Sequence, residues 1–353
     1  MNNPFPFVRA LLLLTLLFDT RSARAGGTTQ PVHPTILQTF PLVLGGDDRR
    51  DYPPVLSANG VALCTHVVWL DGKVDRTTIF DVHSGKTLRE FDDPATEAFC
   101  CLSPDGKRAA VIRPNQPLSS YFVRVIELDG NRVTFEHEAG GGYCLFTPDG
   151  KRLLFEEARP KPAAGYPTMH LAIADLETGR VVGHLALGRW DAPADLISSD
   201  GRMFVTVDRN DAHLTVWDIS TSRTISTPEL RAGDTQRSLC FINGDKSLRG
   251  TDDLGVIQTW DVNTGKLISR VEPSERPMFA GTLSADGKFV IRAGYGGVVF
   301  QDAETARDVR VWRFGPEFKA VAYPQTFRGD TIIAGVGGAG HQQTGSAEDS
   351  SLE

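Results

Sequence analysis

Read for its apolar and polar positions, the chain is a succession of short hydrophobic runs set between clusters of Gly, Pro, Asp, Asn, Ser and Thr. Residues 237–271, RSLCFINGDKSLRGTDDLGVIQTWDVNTGKLISRV, form the clearest unit, with four β-prone runs divided by turn chemistry. Most of the remaining chain is imperfect copies of it. Six units and part of a seventh can be traced, so a repeat architecture is the first expectation.

Two turns punctuate each unit. The first reads Ser103-Pro104-Asp105-Gly106-Lys107, Thr147-Pro148-Asp149-Gly150-Lys151, Ser198-Ser199-Asp200-Gly201-Arg202 and Ser284-Ala285-Asp286-Gly287-Lys288. Asn243-Gly244-Asp245, Ser57-Ala58-Asn59-Gly60 and Phe327-Arg328-Gly329-Asp330 take the same place in other units. Pro presets φ, Asp tolerates the third position and Gly accepts φ > 0 at the fourth, which predicts a tight hairpin between strands a and b. The glycines recur about every 42–51 residues, close to the period of four-stranded blades. The second turn is an aromatic or apolar residue, Asp, then Thr/Ser-Gly-Lys/Arg. It reads Phe80-Asp81 to Lys86, Asp175 to Arg180, Trp217-Asp218, Trp260-Asp261 to Lys266 and Asp302 to Thr305, with Glu127-Leu128-Asp129-Gly130 as a shortened form. This predicts the hairpin between strands c and d, a type I turn followed by a left-handed residue.

Runs such as 153–155, 169–173 and 298–300 are apolar with little alternation, the pattern of strands buried on both faces. Sheets packed face to face around an axis bury both faces, whereas a sandwich leaves one face wet. The expected fold is all-β, a β-propeller of about seven four-stranded blades over residues 39–338. Residues 318–323 and 331–335 read as strands a and b of the last unit. Residues 39–44 are strand-like but precede the first turn, so they are expected to close the last blade as its outer strand. Strand c of that blade has no candidate. It is then either a three-stranded blade or one shortened by a truncated C-terminus.

The Trp-Asp pairs, the D-x-x-T-G-K turns and the S-P-D-G-K hairpins resemble WD40 and related YVTN-type β-propeller repeats, over roughly residues 40–338. The family's Gly-His before strand a is missing; Gly183-His184 falls inside strand d. Asp211 and Asp253 match the Asp of its structural tetrad. The resemblance implies a scaffold for protein contacts, not a reaction.

Net charge is −7 and the pI about 5.7, which argues against nucleic acid as a partner. Arg9, the apolar run 10–18 (ALLLLTLLF) and Ala23-Arg24-Ala25 before Gly26 read as a secretory leader, too short to span a bilayer. The expected organisation is a leader at 1–25, a polar lead at 26–38, the propeller at 39–338 and a disordered tail at 339–353. The mature protein would be a periplasmic or extracellular monomer, free of the membrane.

Insertions cluster on one end of the repeats. The b–c connections 113–120 and 157–168 are long, with 71–76 shorter, and the d–a segments 92–96, 188–193 and 272–277 open on the same side. In repeat scaffolds such a face does the binding. The candidate partner-binding residues are Arg113, Asn115, Arg159, Lys161, Tyr166, Arg189, Trp190, Asp191 and Arg276. Trp190 flanked by Arg189 and Asp191 is the expected anchor for a protein or peptide, because Trp and Arg dominate binding hot spots. Trp190 folded back on a blade edge is the structural alternative.

No catalytic, metal or cofactor residue is assigned. The eight histidines (His33, His66, His83, His137, His170, His184, His213 and His341) form no H-x-H or H-E-x-x-H pattern. The acid pairs Asp47-Asp48, Asp92-Asp93 and Asp252-Asp253 lack the alternating ligands of a calcium loop. No G-x-S-x-G, P-loop or dinucleotide fingerprint occurs, and Gly140-Gly141-Gly142 lies before a strand rather than a helix. Of Cys64, Cys100, Cys101, Cys144 and Cys240, four sit in strand a, and buried free thiols are expected because neighbouring inner strands lie too far apart for a bridge. The alternative function is a propeller enzyme of lactonase-like or quinoprotein-like type. D-x-x-T-G-K also occurs in quinoprotein propellers, but there the Trp follows the turn. Trp217 and Trp260 precede it here, which favours the WD side.

Overall fold

The computed structural model describes residues 9–17, 35–44, 49–51, 55–57, 62–69, 74–91, 98–114, 121–130, 132–158, 170–187, 191–208, 213–230, 236–252, 254–273, 281–284, 286–294, 297–313, 324–328 and 331–337. Every regular element among them is a β-strand. The chain opens with β1 (Arg9–Leu17) and β2 (Thr35–Leu44). The first repeat follows as β3 (Arg49–Asp51), β4 (Val55–Leu56), β5 (Ala62–Trp69), β6 (Val74–Asp81) and β7 (Thr87–Phe91). The second is β8 (Ala98–Leu102), β9 (Arg108–Pro114), β10 (Tyr121–Glu127) and the long β11 (Val133–Phe146), which the third continues with β12 (Arg152–Glu157), β13 (His170–Asp175) and β14 (Arg180–Ala186). The fourth is β15 (Asp191–Ile197), β16 (Met203–Asp208), β17 (His213–Asp218) and β18 (Arg223–Ser226). The fifth is β19 (Gln236–Ile242), β20 (Ser247–Asp252), β21 (Ile257–Asp261) and β22 (Leu267–Val271). The sixth is β23 (Thr282–Leu283), β24 (Phe289–Gly294), β25 (Gly297–Asp302) and β26 (Asp308–Arg313), and the last pair is β27 (Pro324–Arg328) and β28 (Thr331–Gly337).

Each repeat is an antiparallel meander, and the whole is an all-β, propeller-like set of four-stranded sheets. The second and third repeats read as one seven-stranded sheet because β11 serves both. Its first half pairs with β10 and its last residues with β12, with the register broken between Ala139 and Cys144. Gly140-Gly141-Gly142 is therefore inside a strand, as the kink that carries the chain from one sheet to the next. Its cause is steric: a Cβ on Gly140 would overlap the Glu157 carbonyl oxygen.

The burial pattern explains the strand types. β13 buries Leu171, Ala172, Ile173 and Ala174 in succession, as a strand covered on both faces must. The outer strand β14 alternates exposed positions with half-buried ones and the buried Leu185. Core clusters lie between successive sheets. Ile112, Val123, Phe135 and Phe155 fill the second–third seam. Leu154, Leu185 and Phe204 fill the next, Val205, Phe241 and Trp260 the one after, and Ile257, Leu283 and Val290 the fifth–sixth. The innermost strands also meet in order: β4 lies against β8, β8 against β11, β19 against β23, and β27 against both β23 and β4.

The last sheet departs from the sequence expectation. Its first described strand is β27 at Pro324–Arg328, which pairs with β28, and the strand expected at 318–323 lies outside the described residues. The strand-like 39–44 is part of β2, which starts at Thr35 and is the outer strand of this sheet as expected, in the order β27-β28-β1-β2, paired with β1. β1, the apolar run read as a leader, pairs with β28 from Leu11↔Gly337 to Leu17↔Thr331 and takes the place of the missing strand c. An apolar run without helix caps satisfies its backbone groups most directly on an open strand edge. No helix among the described residues is long and apolar enough to cross a membrane.

Candidate functional site

The two ends of the sheets differ in chemistry. At the end formed by the a–b and c–d turns, Asp, Ser and Thr side chains of the described turns bond to their own turn. In the second repeat the buried Ser103 hydroxyl donates to Asp105 Oδ1 at 2.6 Å and accepts from Arg108 N at 2.8 Å, while Lys107 N donates to the same carboxylate at 3.1 Å. Thr147–Asp149, Ser198–Asp200 and Ser284–Asp286 repeat the arrangement. In the c–d turns the Asp accepts from the backbone N–H and hydroxyl three residues on, as in Asp81–Ser84, Asp175–Thr178, Asp261–Thr264 and Asp302–Thr305. A left-handed residue closes each, and where glycine is lacking Ser222 (φ 56°) and Ala306 (φ 51°) adopt it.

These bonds set the acidity of the turns. The hydroxyl and N–H donors of Ser84, Thr178, Ser220 and Thr264 hold Asp81, Asp175, Asp218 and Asp261 below the ordinary carboxylate value. Partial burial raises Asp105, Asp149 and Asp286, but their hydroxyl, N–H and cationic neighbours outweigh it and leave these lowered too. The turn ends are also sewn together. The c–d turn donates to the a–b turn of its own sheet through Leu128 N, Leu176 N, Ile219 N, Val262 N and Ala303 N. Arg108 Nη2 reaches the Gly150 carbonyl of the next sheet at 2.6 Å, and Arg249 Nη1 reaches that of Gly287 at 2.8 Å.

The Trp-Asp pairs belong to this framework. Trp260 is fully buried and donates to the Glu229 carbonyl at 3.2 Å, and Trp217 donates to Thr206 Oγ1 at 2.9 Å on the neighbouring strand. Asp211 and Asp253 lie outside the described residues.

The opposite end carries the long connections, from Pro114 to Tyr121, from Glu157 to His170, from Ala186 to Asp191 and from Val271 to Thr282. Of the predicted binding residues, Arg113 is half-buried at the end of β9 and has no hydrogen-bond or ion-pair partner among the described residues. Asp191 opens β15. Asn115, Arg159, Lys161, Tyr166, Arg189, Trp190 and Arg276 lie outside the described residues. The connection bearing Arg159, Lys161 and Tyr166 joins β12 to β13 and the one bearing Arg189 and Trp190 joins β14 to β15, and both leave the same end of the third repeat, where His170 pairs with Ala186. Arg113 belongs elsewhere. It shares a strand face with Ala109, which packs in the first–second seam.

One residue on this end was not singled out by the sequence. Glu156 lies on the same face of β12 as Leu154, at the mouth of the third–fourth seam. Its carboxylate rests on the backbone of Gly141, where a Cβ would overlap Oε2. Burial pushes its pKa above the ordinary carboxylate value. Its neighbour Glu157 points to the other face, where Oε1 lies 3.1 Å from His184 Nδ1. Only the glycine run hinted at the site. Three glycines before an aromatic strand make room for a foreign side chain, though nothing local says which. A half-buried carboxylate at the root of two connections rich in Arg, Lys and aromatic residues suits recognition of a cationic or hydrogen-bonding group.

Among the described residues, no three His, Cys, Asp or Glu side chains converge to hold a metal. No protein-family model matches the chain, and no curated protein matches it. What the fold defines is a class: an all-β protein of repeated, face-packed, antiparallel four-stranded sheets.

Proposed function

We propose that the protein is a non-catalytic binding scaffold, a closed seven-sheet propeller of the WD40/YVTN type. It docks a protein or peptide on the end that carries the b–c and d–a connections. The observation that supports this most is the asymmetry of its two ends. The described turns spend their carboxylates and hydroxyls on their own hydrogen bonds, whereas the other end holds the long connections, the half-buried Arg113 and the desolvated Glu156. The contact of β27 with both β23 and β4 supports closure of the ring. We assign the contact with the partner to Arg159, Lys161, Tyr166, Arg189, Trp190 and Asp191, with Arg113, Asn115 and Arg276 on neighbouring repeats.

Capture from the native secreted fraction tests this. Wild type should retain a defined partner that the combined Arg159→Ala, Lys161→Ala, Tyr166→Ala, Trp190→Ala variant loses at an unchanged melting temperature. The same proteins retained by both would remove the docking face.

The export part of the proposal concerns residues that the structure pairs as β1. Cleavage before Gly26 removes β1, and β2 must then pair directly with β28 to cover its edge. Mass spectrometry of the protein from periplasm or medium decides it. A chain starting at Gly26 supports export, and a chain starting at Met1 in the cytoplasm overturns it and leaves β1 as the third strand of the last sheet.

A further inference from the structure

Cys101 lies in β8 and Cys144 at the far end of β11, on the inner strands of two neighbouring repeats. Sequence distance and strand geometry argued that such strands stand too far apart for a bridge. The structure corrects this for one pair: the two sulfurs are 3.9 Å apart. The reason is the kink at Gly140-Gly141-Gly142, which lets β11 leave one sheet and join the next, so that β8 and β11 run in contact at their inner ends. Both thiols belong to the core cluster of this seam, together with Ala110, Val123 and Phe155. Neither is in a disulfide, and each keeps a little exposure, 7% for Cys101 and 6% for Cys144.

We infer that Cys101 and Cys144 form a redox-modifiable pair, a reversible disulfide that joins the inner strands of the second and third repeats. Closing the bond to about 2.05 Å moves the sulfurs together by about 1.9 Å, within reach of side-chain rotation and a slight inward shift of strands already in contact. The oxidant is a small-molecule disulfide such as oxidised glutathione, or a protein dithiol oxidase of the same chemistry. One cysteine thiolate attacks the glutathione disulfide, forming a mixed disulfide and releasing one glutathione thiolate. The second cysteine thiolate attacks the protein sulfur of that mixed disulfide and releases the other glutathione. Two protein thiols are oxidised, one glutathione disulfide is reduced to two thiols, and the two cysteine protons end on them. Cys240 provides the contrast. Burial pushes its thiol up to about 12, and its neighbours include the Gly287 backbone rather than a second sulfur.

This inference goes beyond the docking proposal and does not depend on it. The experiment equilibrates the full chain, purified under reducing conditions, with mixtures of reduced and oxidised glutathione. The chain is then unfolded in an alkylating reagent and peptide-mapped without reduction. The expected result is a single Cys101–Cys144 linked peptide, reversed by dithiothreitol. It should come with a melting temperature about 5 °C higher in the oxidised form, since the cross-link closes a loop of 43 residues. Cys101→Ala and Cys144→Ala should each abolish both the linked peptide and the oxidised–reduced difference. Because each is judged by that difference, a modest loss of stability in either variant leaves the reading intact. Full alkylation of both cysteines after oxidation, or a link formed instead by Cys100 or Cys64, overturns the inference.

Discussion

Gly287 and Gly244 lie in consecutive a–b turns with nearly equal left-handed φ of 67° and 63°, Gly244 one position earlier than the counterpart of Gly287, which is Asp245 (φ 65°). Their surroundings differ. An ideal Cβ on Gly244 meets nothing within 4 Å, whereas one on Gly287 would overlap Ile242 Cγ2 and stand 2.9 Å from Cys240 Sγ, both on the preceding sheet. Gly244→Ala therefore carries only the backbone penalty, about 1–2 kcal/mol for an L-residue held left-handed. Gly287→Ala adds overpacking against the half-buried Ile242, about 1–3 kcal/mol more. Urea unfolding followed by tryptophan fluorescence reads the difference. With a slope of about 3 kcal/mol/M for a chain of this size, the two midpoints should separate by about 0.3–1 M. Ile242→Ala deletes the clashing methyl, so combined with Gly287→Ala it should recover about 1 kcal/mol or more relative to additivity. Equal midpoints for the two glycine variants, or strict additivity in the double variant, would refute turn-to-turn packing of neighbouring sheets.

Four further outcomes are expected. Asp81, Asp105, Asp149, Asp175, Asp218, Asp261 and Asp286 are all lowered, so their contribution is complete above the unfolded value of about 3.9 and is lost as pH falls through the folded values. The urea midpoint should thus drop steeply below about pH 4. Glu156 has the opposite sign: raised in the folded state, it is destabilising when ionised, so Glu156→Gln should raise the midpoint at neutral pH and leave it unchanged below the unfolded value of about 4.3. Arg249 is buried and donates to Thr259 Oγ1, the Gly287 carbonyl and Glu304, while Glu304 is 70% exposed. Arg249→Met, which strands a buried carbonyl, should cost about 1–3 kcal/mol, and Glu304→Ala less than about 1 kcal/mol in the same denaturation assay. Deleting residues 38–44 takes most of β2 from the last sheet and should lower the melting temperature, and an unchanged value would show that β2 does not hold it together.

The local rules of the chain were legible without coordinates. Ser103, Asp105 and Gly106 form their hairpin from contacts spanning five residues, and Asp261 to Gly265 does the same, so the turns, their period and the four strands between them follow from composition alone. Double-sided burial was legible too, because strands such as β13 show no alternation. What the tertiary structure decided is everything that depends on which sheets touch. Cys101 meets Cys144 across 43 residues of sequence, Arg249 reaches Glu304 across 55, and Glu156 is desolvated by a glycine fifteen positions upstream. No periodicity encodes those distances. They arise when sheets with similar turn chemistry are pressed together and each seam selects its own neighbours.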